Sequence, residues 1–441
     1  MTTVSLYERL VRTPGGARAG MTEDAARDVA ANGLRQIAAH ALQSTGDQVI
    51  NAKTVLPWLF SALGVPAVLV GLLVPIRESG SMLPQAVMAP WVRRQRVRTW
   101  LWVAGSAGQA LATTAMAVAA ATATGTAAGV AILVALAVFS LSRALNSLAS
   151  KDVLGRTIPK GQRGQITGLA TVLSGIVAIT VGVGIRLLDG DDAGPLVVLL
   201  AAAALVWTAA LVVYAGIREP AEDAVPTADV GPGWARRSVT LLRADAAFRR
   251  FVLVRTLLLV SALSPPFVVA LAAEHGGGLD GLGAFVIASG VASLVGGRLF
   301  GRWADRSSRQ LMIWGAATAS AVILAFLALL AVPGTRGWML LYPAVYLLMA
   351  LTHTGVRVAR KTYVVDMAGG DRRTEYVAVA NTVMGALLLG AGAVSSVLAL
   401  LGAEVALVFL ALLGAAGVVT ARTLPEVSAR RARCSRCDAR R

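Results

Sequence analysis

Long apolar runs separated by short charged stretches fill the chain from about residue 54 onward. They fall near 54–76, 99–122, 126–148, 166–188 and 195–216 and, after a polar segment at 217–248, near 250–273, 281–301, 311–332, 338–356, 376–400 and 403–421. Several reach the roughly 20 apolar residues an α-helix needs to cross a bilayer core, whereas membrane strands would show only a weak ten-residue alternation. The pattern predicts an all-α integral membrane protein in which each helix satisfies its own backbone polar groups. Five runs before the polar segment and six after it leave the halves unequal.

An internal repeat resolves the inequality. Residues 142–175 align without a gap to 352–385, with Lys151 over Lys361, Arg163 over Arg373 and Gly175 over Gly385, a constant shift of 210. Carried back by that shift, the runs near 250–273 and 281–301 predict helices near 40–63 and 71–91, and Pro265-Pro266 falls one residue from Pro57. Helix 1 is therefore expected at about 39–61 and helix 2 at about 66–91, turning at Gly64 to Pro66; the run at 54–76 is the apolar end of one joined to the apolar start of the next. The expected architecture is twelve transmembrane helices as two six-helix pseudo-symmetric bundles. It divides into an N-terminal segment (1–36), a first bundle (37–216), a linker (217–248) with Pro220, Pro226 and Pro232, a second bundle (249–422) and a basic tail (423–441).

Composition agrees with a membrane chain, since 56% of residues are hydrophobic and only 15% charged, against roughly 25% charged in a soluble domain. The net charge of +17 would point to nucleic acid in a soluble protein, but position matters more here. Loops on the side of both termini hold 29 Lys and Arg, those on the other side only Arg336, and Asp189, Asp191, Asp192, Glu274 and Asp280 gather with it. By the positive-inside rule both termini face the cytoplasm, in an inner or cytoplasmic membrane, with the bilayer rather than nucleic acid as partner. The first 36 residues lack an apolar core and a small-residue cleavage site, so no removable signal peptide is expected. Cys434 and Cys437 both lie in the tail; a disordered tail is expected there rather than a metal or redox site.

The stretch Gly301-Arg302-Trp303-Ala304-Asp305-Arg306-Ser307-Ser308-Arg309, pinned between two apolar runs, reads as a tight charged loop at the membrane surface. Its pattern of Gly, three residues, Asp-Arg, two residues, Arg resembles the helix 8–9 loop motif of the major facilitator superfamily, departing from it at Ser308 and Gln310. The resemblance implies a secondary transporter with its substrate site near the midplane between the halves, and a conformational latch made by Gly301, Asp305, Arg306 and Arg309. The first-half copy of the motif is absent or eroded: the 2–3 loop keeps Arg93, Arg94, Arg96 and Arg98 without the Gly-to-Asp pair.

Placing helices 1 and 2 this way puts Gln43, Asp47, Gln48, Asn51, Lys53, Arg77, Glu78 and Gln85 inside the membrane, where ionisable residues are costly and mark pathways. At about 1.5 Å per residue, Asp47 lies roughly 12 Å into helix 1 and Glu78 roughly 18 Å into helix 2. Either these acids titrate among Lys53 and Arg77 as the helices shift, or they form permanent ion pairs joining helices 1 and 2. Around Arg143, the sequence Arg-Ala-Leu-Asn-Ser is similar to the Arg-x-x-Gln-Gly motif of proton-coupled efflux members of that superfamily, and the shift of 210 sets His353 at the pseudo-symmetric position. A histidine is the side chain whose ordinary pKa lies nearest neutrality.

Candidate proton-coupling and substrate residues are thus Asp47, Asn51, Lys53, Arg77, Glu78, Gln85, Arg143 and His353. No Walker loop, zinc helix or nucleophile elbow occurs, so no cofactor, metal site or enzymatic chemistry is expected. The sequence points to a monomeric, proton-coupled transporter of a small molecule, with export favoured over uptake and a proton-coupled uptake permease or a facilitator as the alternative. A non-transporting receptor or assembly factor on the same fold is the rival from another class, and it would be indifferent to charge removal at Asp47 and Glu78.

Overall fold

The computed structural model describes residues 3–11, 23–159, 162–186, 193–221, 234–275, 279–367 and 373–427; Pro226, Pro232, Cys434 and Cys437 lie outside them. The described residues run back and forth as twelve helical passes. Span 1 is Glu23–Val49 continued by Val55–Ala62, and span 2 is Ala67–Val70, Leu73–Met82 and Gln85–Arg93. Spans 3 to 6 are Thr99–Thr122, Gly125–Thr157, Arg163–Arg186 and Gly194–Ala215. Span 7 is Ala246–Leu257, Val260–Leu263 and Pro265–Glu274. Spans 8 and 9 share the helix Leu279–Leu330, and spans 10 to 12 are Leu341–Met367, Arg373–Leu398 and Ala403–Ala421. Seven helical segments among the described residues are long and apolar enough to cross a membrane by length and composition.

Three local results differ from the sequence expectation. Span 1 starts at Glu23, well before residue 39, because Asn32 and Gln36 are buried in contacts rather than left to solvent: Asn32 Nδ2 donates to the Arg218 carbonyl at 2.8 Å and Gln36 Nε2 to Thr157 Oγ1 at 2.7 Å. The charged stretch at 301–309 is helical apart from one extended residue, Ser307 (φ −159°, ψ 97°), so the reversal between spans 8 and 9 is a single-residue break rather than a loop. Span 10 runs on to Met367, past the end of the apolar run near residue 356, so Arg357 and Arg360 belong to a helix and not to a basic loop.

Spans 1 and 7 are broken at pseudo-equivalent places. In span 1 the break covers residues 50–54, where the Asn51 carbonyl takes the Leu56 amide at 3.1 Å and Asn51 Oδ1 takes the Lys53 amide at 2.9 Å. In span 7 the helix pauses at 258–259 and restarts at Pro265-Pro266, a pair without backbone donors that suits a helix start. The reversal between spans 1 and 2 uses Gly64 at φ +67°, a conformation only glycine adopts without strain.

The two halves meet along two glycine-lined seams, span 5 against span 8 and span 11 against span 2. Small residues let helix backbones approach closely where lipid gives no hydrophobic drive for association. A Cβ on Gly182 would stand 2.8 Å from the Ile287 amide nitrogen, and one on Gly283 would stand 2.4 Å from the Gly182 carbonyl. On the other seam Gly392 admits Pro75, and Ser79 Oγ donates to the Gly385 carbonyl at 2.7 Å. The repeat partners Gly175 and Gly385 take corresponding places: one meets Leu294 of span 8, the other Leu83 of span 2. These approaches run from the middle of the bundle to the face opposite the described chain ends. Gly182→Val is expected to lower the melting temperature of the purified protein by overpacking backbone that cannot yield, a cost of about 1–3 kcal/mol; unchanged melting would mean the seam has room.

Candidate functional site

The break in span 1 turns Lys53 into the space between the halves, and the break in span 7 places Ser261 opposite. Lys53 Nζ stands 3.7 Å from Glu78 Oε1 of span 2 and 3.1 Å from His353 Nε2 of span 10, whose Nδ1 is 3.3 Å from Ser261 Oγ. With Lys53 protonated, Nε2 must accept, so Nδ1 carries the ring hydrogen and donates to Ser261. The result is a polar chain Glu78–Lys53–His353–Ser261 that crosses from one half to the other.

A second cluster lies within the first half. Arg77 Nη2 donates to Asp47 Oδ1 at 3.0 Å, and Arg143 Nη1 of span 4 reaches Asp47 Oδ2 at 2.6 Å. The Arg77 guanidinium also sits over the Phe139 ring, 5.0 Å from its centroid, a favourable cation–π placement where water is scarce. Asp47 is thus clamped between two guanidiniums, while the Glu78 side chain keeps 37% of its surface exposed and, among the described residues, has a single, longer ion pair, with Lys53.

Both clusters line one cavity of about 370 Å³ that reaches Pro265, Ser289 and Tyr346. A second, of about 580 Å³, shares Glu78, Arg143, Ser147 and His353 with it and extends to Lys151, Val364 and Asn381 on the side of the chain termini. The two form a continuous vestibule of the size usual for small-molecule sites. Of the candidates from the sequence, Asp47, Asn51, Lys53, Arg77, Glu78, Gln85, Arg143 and His353 all line it. Gln85 spends its amide on its own helix, donating to the Ser81 carbonyl at 2.6 Å. No group of three or more His, Cys, Asp and Glu suited to a metal occurs among the described residues.

Sequence reasoning missed Arg255, Arg357 and Arg360 of this vestibule. The last two follow His353 at intervals of four and three on one face of span 10, a helical stripe legible in the sequence had the helix not been ended at residue 356.

At the terminal face, the surroundings of Gly301 and the side chain of Asp305 lie outside what is described, and Arg306 is exposed. Arg309 Nη1 donates to the Leu424 carbonyl at 2.9 Å and its Nε lies 3.8 Å from Glu426 Oε2, which also accepts from Ser307 Oγ. The break at Ser307 is therefore clasped to the chain leaving span 12. The first half does the same with different residues: Glu219, just past span 6, accepts from the Arg98 and Thr99 amides at 2.7 Å each, from Thr99 Oγ1 at 2.9 Å and from Arg156 Nη1 at 3.0 Å. A carboxylate at the amino end of span 3 meets both the orphan amides and the helix dipole. It is the first-half counterpart of Glu426. Because its side chain is fully buried, Glu219→Ala is expected to cost about 3 kcal/mol or more by removing the acceptor of two amides and the carboxylate that Arg156 reaches. Thermal unfolding in detergent measures this, and native-like melting of the variant would contradict the clasp.

The sequence model described as Major Facilitator Superfamily matches residues 38–393. A search of curated proteins finds no match. Solved structures that superpose on the chain include a D-xylose-proton symporter (TM-score 0.69, 10% identity, 90% of this chain and 98% of that one). The nucleoside transporter NupG also superposes (0.68, 10%, 89% and 99%), as does an inward-open form of the xylose transporter XylE from E. coli (0.65, 12%, 89% and 96%). At such identities the likeness concerns the fold alone.

Proposed function

The chain belongs to the Major Facilitator Superfamily, and on that premise we propose that it is a proton-coupled secondary transporter of a small solute, working by alternating access. Residues 37–216 and 249–422 would be the two rocking units, with both termini in the cytoplasm. The observation that carries this reading is the polar chain from Glu78 through Lys53 to His353, which links the halves inside the vestibule. Glu78 can exchange protons with water in the cavity, and its charge decides how firmly Lys53 is held. Protonating it releases Lys53 to any solute that accepts a hydrogen bond, so proton and solute binding support each other. By reciprocity of linkage that is symport. Export by antiport is the second reading, favoured by the likeness around Arg143 to the efflux motif.

Proteoliposomes with a trapped pH dye decide between them. A solute that moves inward under an imposed gradient while the lumen acidifies supports symport, and lumenal alkalinisation supports antiport. Solute flux with no proton movement would reduce the protein to a facilitator. Orientation is tested by a tag between Gly64 and Pro66, expected to be reachable only from outside the cell.

A further inference from the structure

The vestibule is not electrically balanced. Its described lining carries Lys53, Arg77, Arg143, Lys151, Arg255, Arg357 and Arg360 against only Asp47 and Glu78. Asp47 is used by Arg77 and Arg143, and Glu78 by Lys53. Three cations on the second half remain without a described carboxylate in contact. Arg255 Nη2 donates to Asn381 Oδ1 at 2.9 Å, and its Nε points at the Met384 sulfur at 2.9 Å. Arg360 Nη1 reaches the same sulfur at 3.5 Å, and its Nε has no partner although the residue is only 6% exposed. Arg357, one turn earlier on the same face, is exposed into the vestibule. A thioether is a weak, neutral acceptor. It brings two guanidiniums to one point and compensates neither.

Burying charge without a counter-ion is costly, and a chain keeps such a group where a ligand supplies the missing charge. From this geometry we infer that the transported solute is a small organic anion whose carboxylate or phosphate is received by Arg255, Arg357 and Arg360, with its remainder directed toward Lys53 and His353. The inference rests on the transporter reading for the purpose of the site, but not for its charge preference. Guanidinium forks match the paired oxygens of carboxylate and phosphate, and the roughly 580 Å³ of this part of the vestibule admits a metabolite rather than a polymer. The sign of coupling follows as well: protonated Glu78 leaves Lys53 free to add to the positive site, so anion and proton travel together.

The test uses purified full-length protein at constant ionic strength, with succinate, citrate, glucose 6-phosphate and inorganic phosphate as probes and glucose and tetraethylammonium as controls. At least one anion, and neither control, is expected to raise the melting temperature and to bind by calorimetry. Arg360→Gln and Arg255→Gln are each expected to weaken that binding about tenfold or more, the range of a lost charge-assisted contact. Without ligand these variants should melt no lower than the native chain, because each removes an uncompensated charge; a purely structural arginine would give a lower melting temperature. Binding of glucose or tetraethylammonium in preference to every anion, no binding of any of the four anions, or anion binding untouched by both substitutions overturns the inference. Anion binding without flux would sink the transport reading alone, and flux of a neutral solute would sink this inference alone.

Discussion

Glu78→Gln is expected to abolish gradient-driven accumulation while leaving the protein folded and able to exchange solute across the bilayer. Glutamine keeps the shape and a hydrogen-bond acceptor for Lys53 but can neither take up a proton nor hold the ammonium by charge. In the native chain the two sites are coupled because both act on Lys53, which touches Glu78 and His353 at once. Coupling free energies between linked sites run to about 1–3 kcal/mol, roughly 5–150-fold in affinity. Solute affinity should therefore fall as pH rises through the titration of Glu78 in the native protein and stay flat in the variant, fixed at the value of the protonated state. Binding isotherms across pH measure this directly. A variant that still accumulates solute against its gradient with native pH dependence would move the proton site elsewhere.

Asp47→Asn is expected to act on stability first. The carboxylate is the shared counter-ion of Arg77 and Arg143, whose side chains are 16% and 26% exposed. Removing one member of a buried ionic cluster leaves uncompensated charge and costs about 3–5 kcal/mol, with the lower end fitting groups that still see some water. The melting temperature in detergent should fall by several degrees, and Asp47→Asn combined with Arg143→Gln should recover part of the loss because one stranded guanidinium goes with its partner. Additive destabilisation in the double variant would mean that the contact at 2.6 Å contributes nothing. The two acids, indistinguishable along the chain, thus separate in space: Asp47 is clamped, and Glu78 is left adjustable.

Much of the architecture is legible in the sequence because a duplicated unit must place equivalent breaks and glycines at a constant interval. The shift of 210 restored the first two spans, which hydropathy merged because their facing ends are apolar while their interiors carry the charged cluster. The same cost of burying charge exposed Asp47, Lys53, Arg77 and Glu78 as site candidates. What stayed hidden were the pairings. That Arg143 meets Asp47 depends on the rotation of span 4 about its axis, which no linear pattern fixes. Arg357 and Arg360 were lost for another reason: span 10 continues to Met367, past the point where the apolar run stops, so residues lining the vestibule resembled loop residues obeying the charge rule. Glu219 and Glu426 gave no signal in the sequence, since each acts on atoms that the fold alone brings near.

The central claim is that one vestibule, lined by these charges, opens alternately to the two sides of the membrane. Ser147 lines both of its parts, so a single cysteine there, with Cys434 and Cys437 changed to serine, reports access to a charged, membrane-impermeant thiol reagent. The account predicts labelling from the side of the chain termini at rest and from the opposite side once solute and a proton gradient are supplied. Labelling confined to one side under every condition would contradict it.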